Sequence, residues 1–379
     1  MEMKQLVKQY EKKMSKRYKN SIFNKILDVQ EDNELRSLEF MESFDIQTLK
    51  LNFCDNIEPK LNSKTIKELY IIFCNVSDVE LLDLVNLEVL QLIEETEYIQ
   101  THQPQITQLV DSIAVNYANL KELYLDGYQG IQLQPLSQKI KLTKLTLIDC
   151  NLKNIDALKS LINLKYYCQY ITKIDITPLQ FLNQLTSINL AGCALQNVDS
   201  LKSLANLKKL VLLGNELIDI TSLQFFTTLT FLDLRQCQIQ SIDTLKPLIN
   251  LEVLDISANQ IVYSQPLGAF KKLVQCNCEE NKIIDFQIIE KLPYFNNFQI
   301  FNQQQPTELE VIQANILRNI NAPITPLRKI YLLTKMLKTR ISVKKSRVEE
   351  YLQLQFLNQV NFTSKIASLF QTLNKIGDG

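Results

Sequence analysis

Residues 207–250 read LKKLVLLGNELIDITSLQFFTT followed by LTFLDLRQCQIQSIDTLKPLIN, the same sentence written twice in 22-residue lines. Apolar side chains recur at positions 1, 4, 6, 11, 14, 17 and 20 of each line, with Asn215 or Cys237 at position 9. Positions 4 and 6 alternate inward along a short strand, while positions 5 and 7 point outward. A single such coil cannot bury its own leucines. Stacked coils can, by pairing their strands in parallel around one shared core.

The pattern spreads in both directions. Leu142 opens LTKLTLIDCNLKNIDALKSLIN, Leu185 opens LTSINLAGCALQNVDSLKSLAN and Leu251 opens LEVLDISANQIVYSQPLGAFKK. From 185 the starts fall at 185, 207, 229, 251, 273 and 295. Backwards, with wear, they fall at Ile46, Ile66, Leu87, Leu120, Leu142 and Leu164, about twelve coils in all, and Leu35–Phe40 reads as an abbreviated coil before them. The 164 coil is one residue short, upstream of its IDITPLQFLNQL tail. The step from 87 to 120 carries an insertion near 94–119, where Ile106, Leu109, Val110, Ile113 and Tyr117 keep a helical period and predict a helix packed on the flank.

This pattern, LxxLxLxx(N/C)xLxxLxxLxxLxx, resembles the leucine-rich repeat family over about residues 35–305. It is most similar to the 22-residue cytosolic class that includes the leucine-rich regulatory subunit of protein phosphatase 1. The resemblance implies an α/β solenoid: a leucine-rich repeat arc with a parallel concave sheet, closed by helical N- and C-terminal caps. It also implies a protein that binds proteins rather than one that catalyses, although fold alone does not fix function.

The cysteines obey the repeat. Cys54, Cys74, Cys150, Cys193 and Cys237 share position 9 with Asn215, Asn259 and Asn281. A small side chain there can meet backbone groups that would otherwise be unsatisfied. Cys276 and Cys278 replace inward leucines, and Cys168, in the irregular coil, has no assignment. Reduced structural thiols in a reducing, cytoplasmic compartment follow. The lone histidine, His102, stands in a polar loop without neighbours at ligand spacing. There is no phosphate-binding glycine loop, no nucleophile elbow, no zinc motif and no CxxC, so neither a catalytic residue, a metal nor a cofactor is expected.

Variation is left to the outward strand face. Its N-terminal half offers Tyr70, Ile72, Ile93, Tyr124 and Ile148, with Phe73 beside them, and Val211 and Leu213 follow. Its later half turns polar, with Phe231, Asp233, Arg235 and Asp255. Nothing in the repeat requires outward Tyr or Ile, and contiguous exposed apolar groups mark interaction surfaces. A protein partner bearing an apolar patch beside basic residues would fit.

Charge divides the chain further. Lys and Arg number 41 against 41 Asp and Glu, yet residues 1–25 hold eight bases with two acids and residues 328–347 hold eight bases with none. The remaining 334 residues therefore carry 25 bases and 39 acids. We expect a basic amphipathic cap helix over 1–34, the solenoid over 35–305 and a helical cap or tail over 306–379. Residues 1–25 could touch a membrane surface weakly, but no run approaches a transmembrane span. Alternatives to a plain scaffold are a regulatory subunit of an enzyme such as a phosphatase, and an RNA-associated scaffold using the basic tail. An acidic body with little aromatic interleaving makes nucleic acid the poorer partner.

Overall fold

The computed structural model describes residues 9, 12–19, 22, 24–32, 35, 37–38, 41, 44–54, 61–72, 84–93, 110–111, 113–128, 130–170, 174–285, 298–299 and 304. The chain divides into two units, Met1–Gln305 and Pro306–Gly379. The tail unit and its basic stretch 328–347 lie outside the described residues.

In the first unit, inward leucines drive thirteen strands into one sheet whose order is the order of the chain. They are β1 (Ile26–Gln30), β2 (Thr48–Asn52), β3 (Glu68–Ile72), β4 (Val89–Ile93), β5 (Glu122–Asp126), β6 (Lys144–Ile148) and β7 (Tyr166–Tyr170). The short strands β8 (Ser187–Asn189), β9 (Lys209–Val211), β10 (Phe231–Asp233), β11 (Val253–Asp255), β12 (Gln275–Asn277) and β13 (Phe298–Gln299) complete it. Every pairing is parallel and joins consecutive strands, for example Leu210↔Leu232 and Leu232↔Leu254. The return segments are single 3-10 turns such as Asp156–Ser160 and Thr221–Phe225. Column 4 and 6 residues, including Leu145, Leu147, Leu232 and Leu234, are fully buried in one continuous core.

The sheet begins earlier than the repeat predicts. β1 pairs in register with β2, Ile26 opposite Thr48, so a strand stands inside the segment assigned to the cap helix. Leu35 and Leu38 then belong to the return half of that first coil rather than to an abbreviated coil of their own. Its disguise is chemical: Asn24 stands where leucine opens the other coils, and Asp32 stands at position 9. Asp32 is buried, accepts the Tyr18 hydroxyl and lies 3.3 Å from Arg17. Residues 12–18 are helical, and Met14 and Tyr18 join the core beside Leu27.

Insertions and deletions leave the strands in step. Leu90 still faces Leu123 across the lengthened coil, where residues 110–111 and 113–116 are helical and bury Val110, Ile113 and Tyr117. Ile106 and Leu109 lie outside the described residues. In the shortened coil Cys168 faces Thr146 on one side and Asn189 on the other, which places its backbone in column 5.

Position 9 carries the ladder of side-chain bonds that joins the turns. Asn259 donates to the carbonyls of Leu234 (2.8 Å) and Ile256 (2.9 Å) and accepts the N–H groups of Cys237 and Ile239, each at 3.0 Å. Cys237 makes the poorer version, its thiol reaching Leu212 O at 3.0 Å and Arg235 O at 3.3 Å. Burial pushes the thiols up, Cys150 to about 12 and Cys237 to about 11, so they stay protonated donors. Cys54, Cys150, Cys193, Cys237, Cys276 and Cys278 are all buried and outside any disulfide. Cys74 and His102 lie outside the described residues.

A second ladder went unread in the sequence. Position 22 asparagines donate to the position 21 carbonyl of the preceding coil: Asn119 to Val85 (3.1 Å), Asn163 to Ile140 (2.7 Å), Asn206 to Asn183 (2.9 Å) and Asn250 to Thr227 (2.9 Å). Its signal was present, as the Asn that closes LIN, LAN and LIN in the quoted coils.

Candidate functional site

The outward columns 5 and 7 follow from strand alternation, and the register fixes who stands beside whom. Column 5 runs Lys50, Tyr70, Gln91, Tyr124 and Thr146 across β2 to β6, and column 7 runs Asn52, Ile72, Ile93, Asp126 and Ile148. Tyr70, Ile72, Ile93, Tyr124 and Ile148 are therefore gathered on four adjacent strands, each partly exposed. Lys50 lies 5.3 Å over the Tyr70 ring, and the Tyr70 hydroxyl donates to Glu68 at 3.4 Å. Burial, with the Glu68 charge, raises Tyr70 above the ordinary phenol value. Phe73 lies outside the described residues, but Phe53 stands at the equivalent place after β2. It is 49% exposed, and its φ of 53° is one that bulky side chains rarely adopt.

Val211 and Leu213 are also partly exposed but stand apart, with β7 and β8 between them and Ile148. Phe231 is next along, carrying Lys209 at 4.5 Å from its ring centre.

The acidic half is not what the sequence suggested. Asp233 is only 3% exposed, and Arg235 holds it through Nε and Nη2. Asp255 accepts the N–H of Ser257 at 3.0 Å and its hydroxyl at 2.7 Å, and also takes the Asn277 amide at 3.3 Å. The same bond recurs: Asn189 to the N–H of Ala191, Asp233 to that of Arg235, Asn277 to that of Glu279. Column 5 Asn and Asp are thus turn-makers on β8, β10, β11 and β12, four of the described strands of three residues, whereas β9 carries Val211 there. Their signal was legible as Asn189, Asp233, Asp255 and Asn277 at one repeat position.

The face also left something unpredicted on the flank. Ile140, Ile162 and Ile249 at position 21 and Phe181 and Phe225 at position 19 are 50–58% exposed. They interleave with the core positions 17 and 20 of the repeat and read there as more core. Among the described residues, no group of His, Cys, Asp and Glu could hold a metal ion, and no helix is long and apolar enough to cross a membrane.

Comparison with known proteins places this geometry. Residues 227–272 match the family of leucine-rich repeats, in its two-copy form. The fold is similar to an internalin, InlF, of Listeria monocytogenes, with a TM-score of 0.56 and 21% identity over 74% of this chain and 87% of that one. It is also similar to a leucine-rich repeat protein of Leptospira interrogans, with a TM-score of 0.53 and 18% identity over 79% of this chain and 84% of that one. No curated protein matches the chain. The match over residues 227–272 and the likeness of the fold agree on leucine-rich repeat architecture; the narrower likeness to the phosphatase-regulating subunit draws no support from these matches.

Proposed function

We propose that the chain is a non-catalytic scaffold that binds a protein partner on its concave strand face. The observation that carries this is the contiguous run of Tyr70, Ile72, Ile93, Tyr124 and Ile148 across β3 to β6, outside the core and beyond anything the coil needs. Repeat proteins of this class work mainly by binding proteins, which favours the same reading. Buried thiols outside any disulfide suit a reducing compartment, and the cytoplasm is the natural one.

The test is affinity capture from native lysate with the full chain and with Tyr70, Ile93 and Tyr124 all changed to Ala. Each anchor should contribute about 1–2 kcal/mol, so the triple variant should lose the partner. A flank variant, Ile140→Ser with Ile162→Ser, should keep it. The opposite result moves the site to the flank. Enzymatic activity in the captured partner would make the chain a regulatory subunit, and capture abolished by ribonuclease would favour the RNA-linked scaffold instead.

A further inference from the structure

Asp126 ends β5 with its backbone paired between Ile93 on β4 and Ile148 on β6, in the middle of the apolar run. The Tyr124 hydroxyl donates to its Oδ2 at 3.2 Å. No Lys or Arg among the described residues pairs with it. The neighbouring bases are engaged elsewhere: Lys121 with Glu88 at 2.7 Å, Lys144 with Glu122 at 3.3 Å and Lys50 over Tyr70. Asp233 and Asp255 present the contrast, since both are already taken up by Arg235 and by turn bonds.

The surroundings add to this. Among the described residues, the outward strand face from β3 to the turn after β6 carries Glu68, Glu122, Asp126 and Asp149 against Lys144. Burial raises the Asp126 carboxyl above its ordinary value, the Tyr124 bond opposing and the Asp149 charge adding. The part-buried carboxylate thus stands between the Ile93 and Ile148 positions of the adjacent strands, with Ile93, Tyr124 and Ile148 themselves partly exposed. Such a group gains most from a cation that arrives with its own apolar rim, because the pair is then shielded from solvent.

We propose that Asp126, rimmed by Ile93, Ile148 and Tyr124, anchors a basic side chain, preferentially arginine, presented by a protein segment with apolar residues on either side. Arginine suits the place better than lysine. Its planar guanidinium is weakly hydrated, can meet both carboxylate oxygens and can lie flat on the Tyr124 ring. The anchor rests on the concave-face reading and specifies what that face selects.

The test uses a phage-displayed library of random twelve-residue peptides selected on the immobilised full chain. Enriched peptides should carry Arg or Lys bracketed by apolar residues. They should bind Asp126→Asn about 30-fold or more weakly, keep most affinity for Asp126→Glu and be indifferent to Asp156→Asn on the return side. Thermal melts of each variant establish that it is folded. Peptides that lack a basic residue, or that are lost on Ile93→Ser yet indifferent to Asp126→Asn, overturn the anchor and leave the face standing. Peptides indifferent to both changes, or no enrichment above the bare support, overturn the anchor and the concave-face reading together.

Discussion

The Arg235 guanidinium lies side-on against the Asp233 carboxylate, with Nε to Oδ1 at 3.0 Å and Nη2 to Oδ2 at 2.7 Å. The carboxylate also takes the backbone N–H of Arg235 at 3.1 Å, so one residue pair closes both a turn and a charge. That pairing raises the guanidinium further above its already high value.

Arg235→Ala should therefore destabilise the protein by about 1–3 kcal/mol, since it strands a nearly buried carboxylate. Asp233→Asn keeps the acceptor for the backbone N–H and should cost well under half as much. Urea unfolding of the two variants gives the comparison, and equal costs would mean that stranding the carboxylate adds nothing beyond the loss of the pair itself.

Asn259 and Cys237 share a slot but not a workload. Asn259→Ala takes the partner from two buried N–H groups and from the Leu234 carbonyl, while Ile256 O keeps the Asn281 amide at 2.9 Å, an expected loss of roughly 2–4 kcal/mol. Cys237→Ala gives up one weak thiol bond and a little packing, an expected loss of about 1 kcal/mol. Calorimetry or urea melts would order them.

Asp126 links stability to pH in the unusual direction for a carboxylate. Its folded value lies above the unfolded 3.8, chiefly through burial, so the native state binds the proton more tightly. Above both values the folded state carries a full penalty, which is relieved as pH falls through the folded value and is gone below the unfolded one. Asp126→Asn should thus melt higher than the parent at pH 7, and the gap should close as pH falls toward the unfolded value. A gap constant with pH would assign the gain to something other than the charge.

The position 8 column turns through the left-handed region in coil after coil. Gly192 and Gly214 adopt it freely with φ of 65° and 70°, whereas Gln236 and Ala258 hold φ of 54° and 53° with a side chain in place. Ala258→Gly should stabilise by about 0.5–1 kcal/mol, and Gly214→Ala should cost about 1 kcal/mol. A Cβ on Gly214 would meet nothing nearer than Gly192 N at 3.9 Å, so the cost is conformational rather than steric.

The repeat was legible because its period is enforced by burial, and burial repeats in every coil. Position 9 could be read for the same reason. The first coil escaped because a carboxylate, Asp32, fills the position 9 slot and is tied to Tyr18 and Arg17 of the helix, where Cys and Asn elsewhere bond the backbone. The acidic half was misjudged because columns 5 and 7 were treated as free of scaffold duty. Four Asn or Asp residues at one position were the hint that they were not. Asp126 stood in the right column, yet its isolation depends on where Lys121 and Lys144 point, and that is a matter of side-chain geometry with no trace in spacing.

Among the described residues, each strand pairs with the strand before it and the strand after it, through a sheet of thirteen strands. No strand ties distant coils together, so a load applied along the stack is resisted one interface at a time. Drawn from its ends by an optical trap, the solenoid should peel rather than burst. Each step would pay out one coil of 22 residues, a gain in contour length of roughly 7 nm.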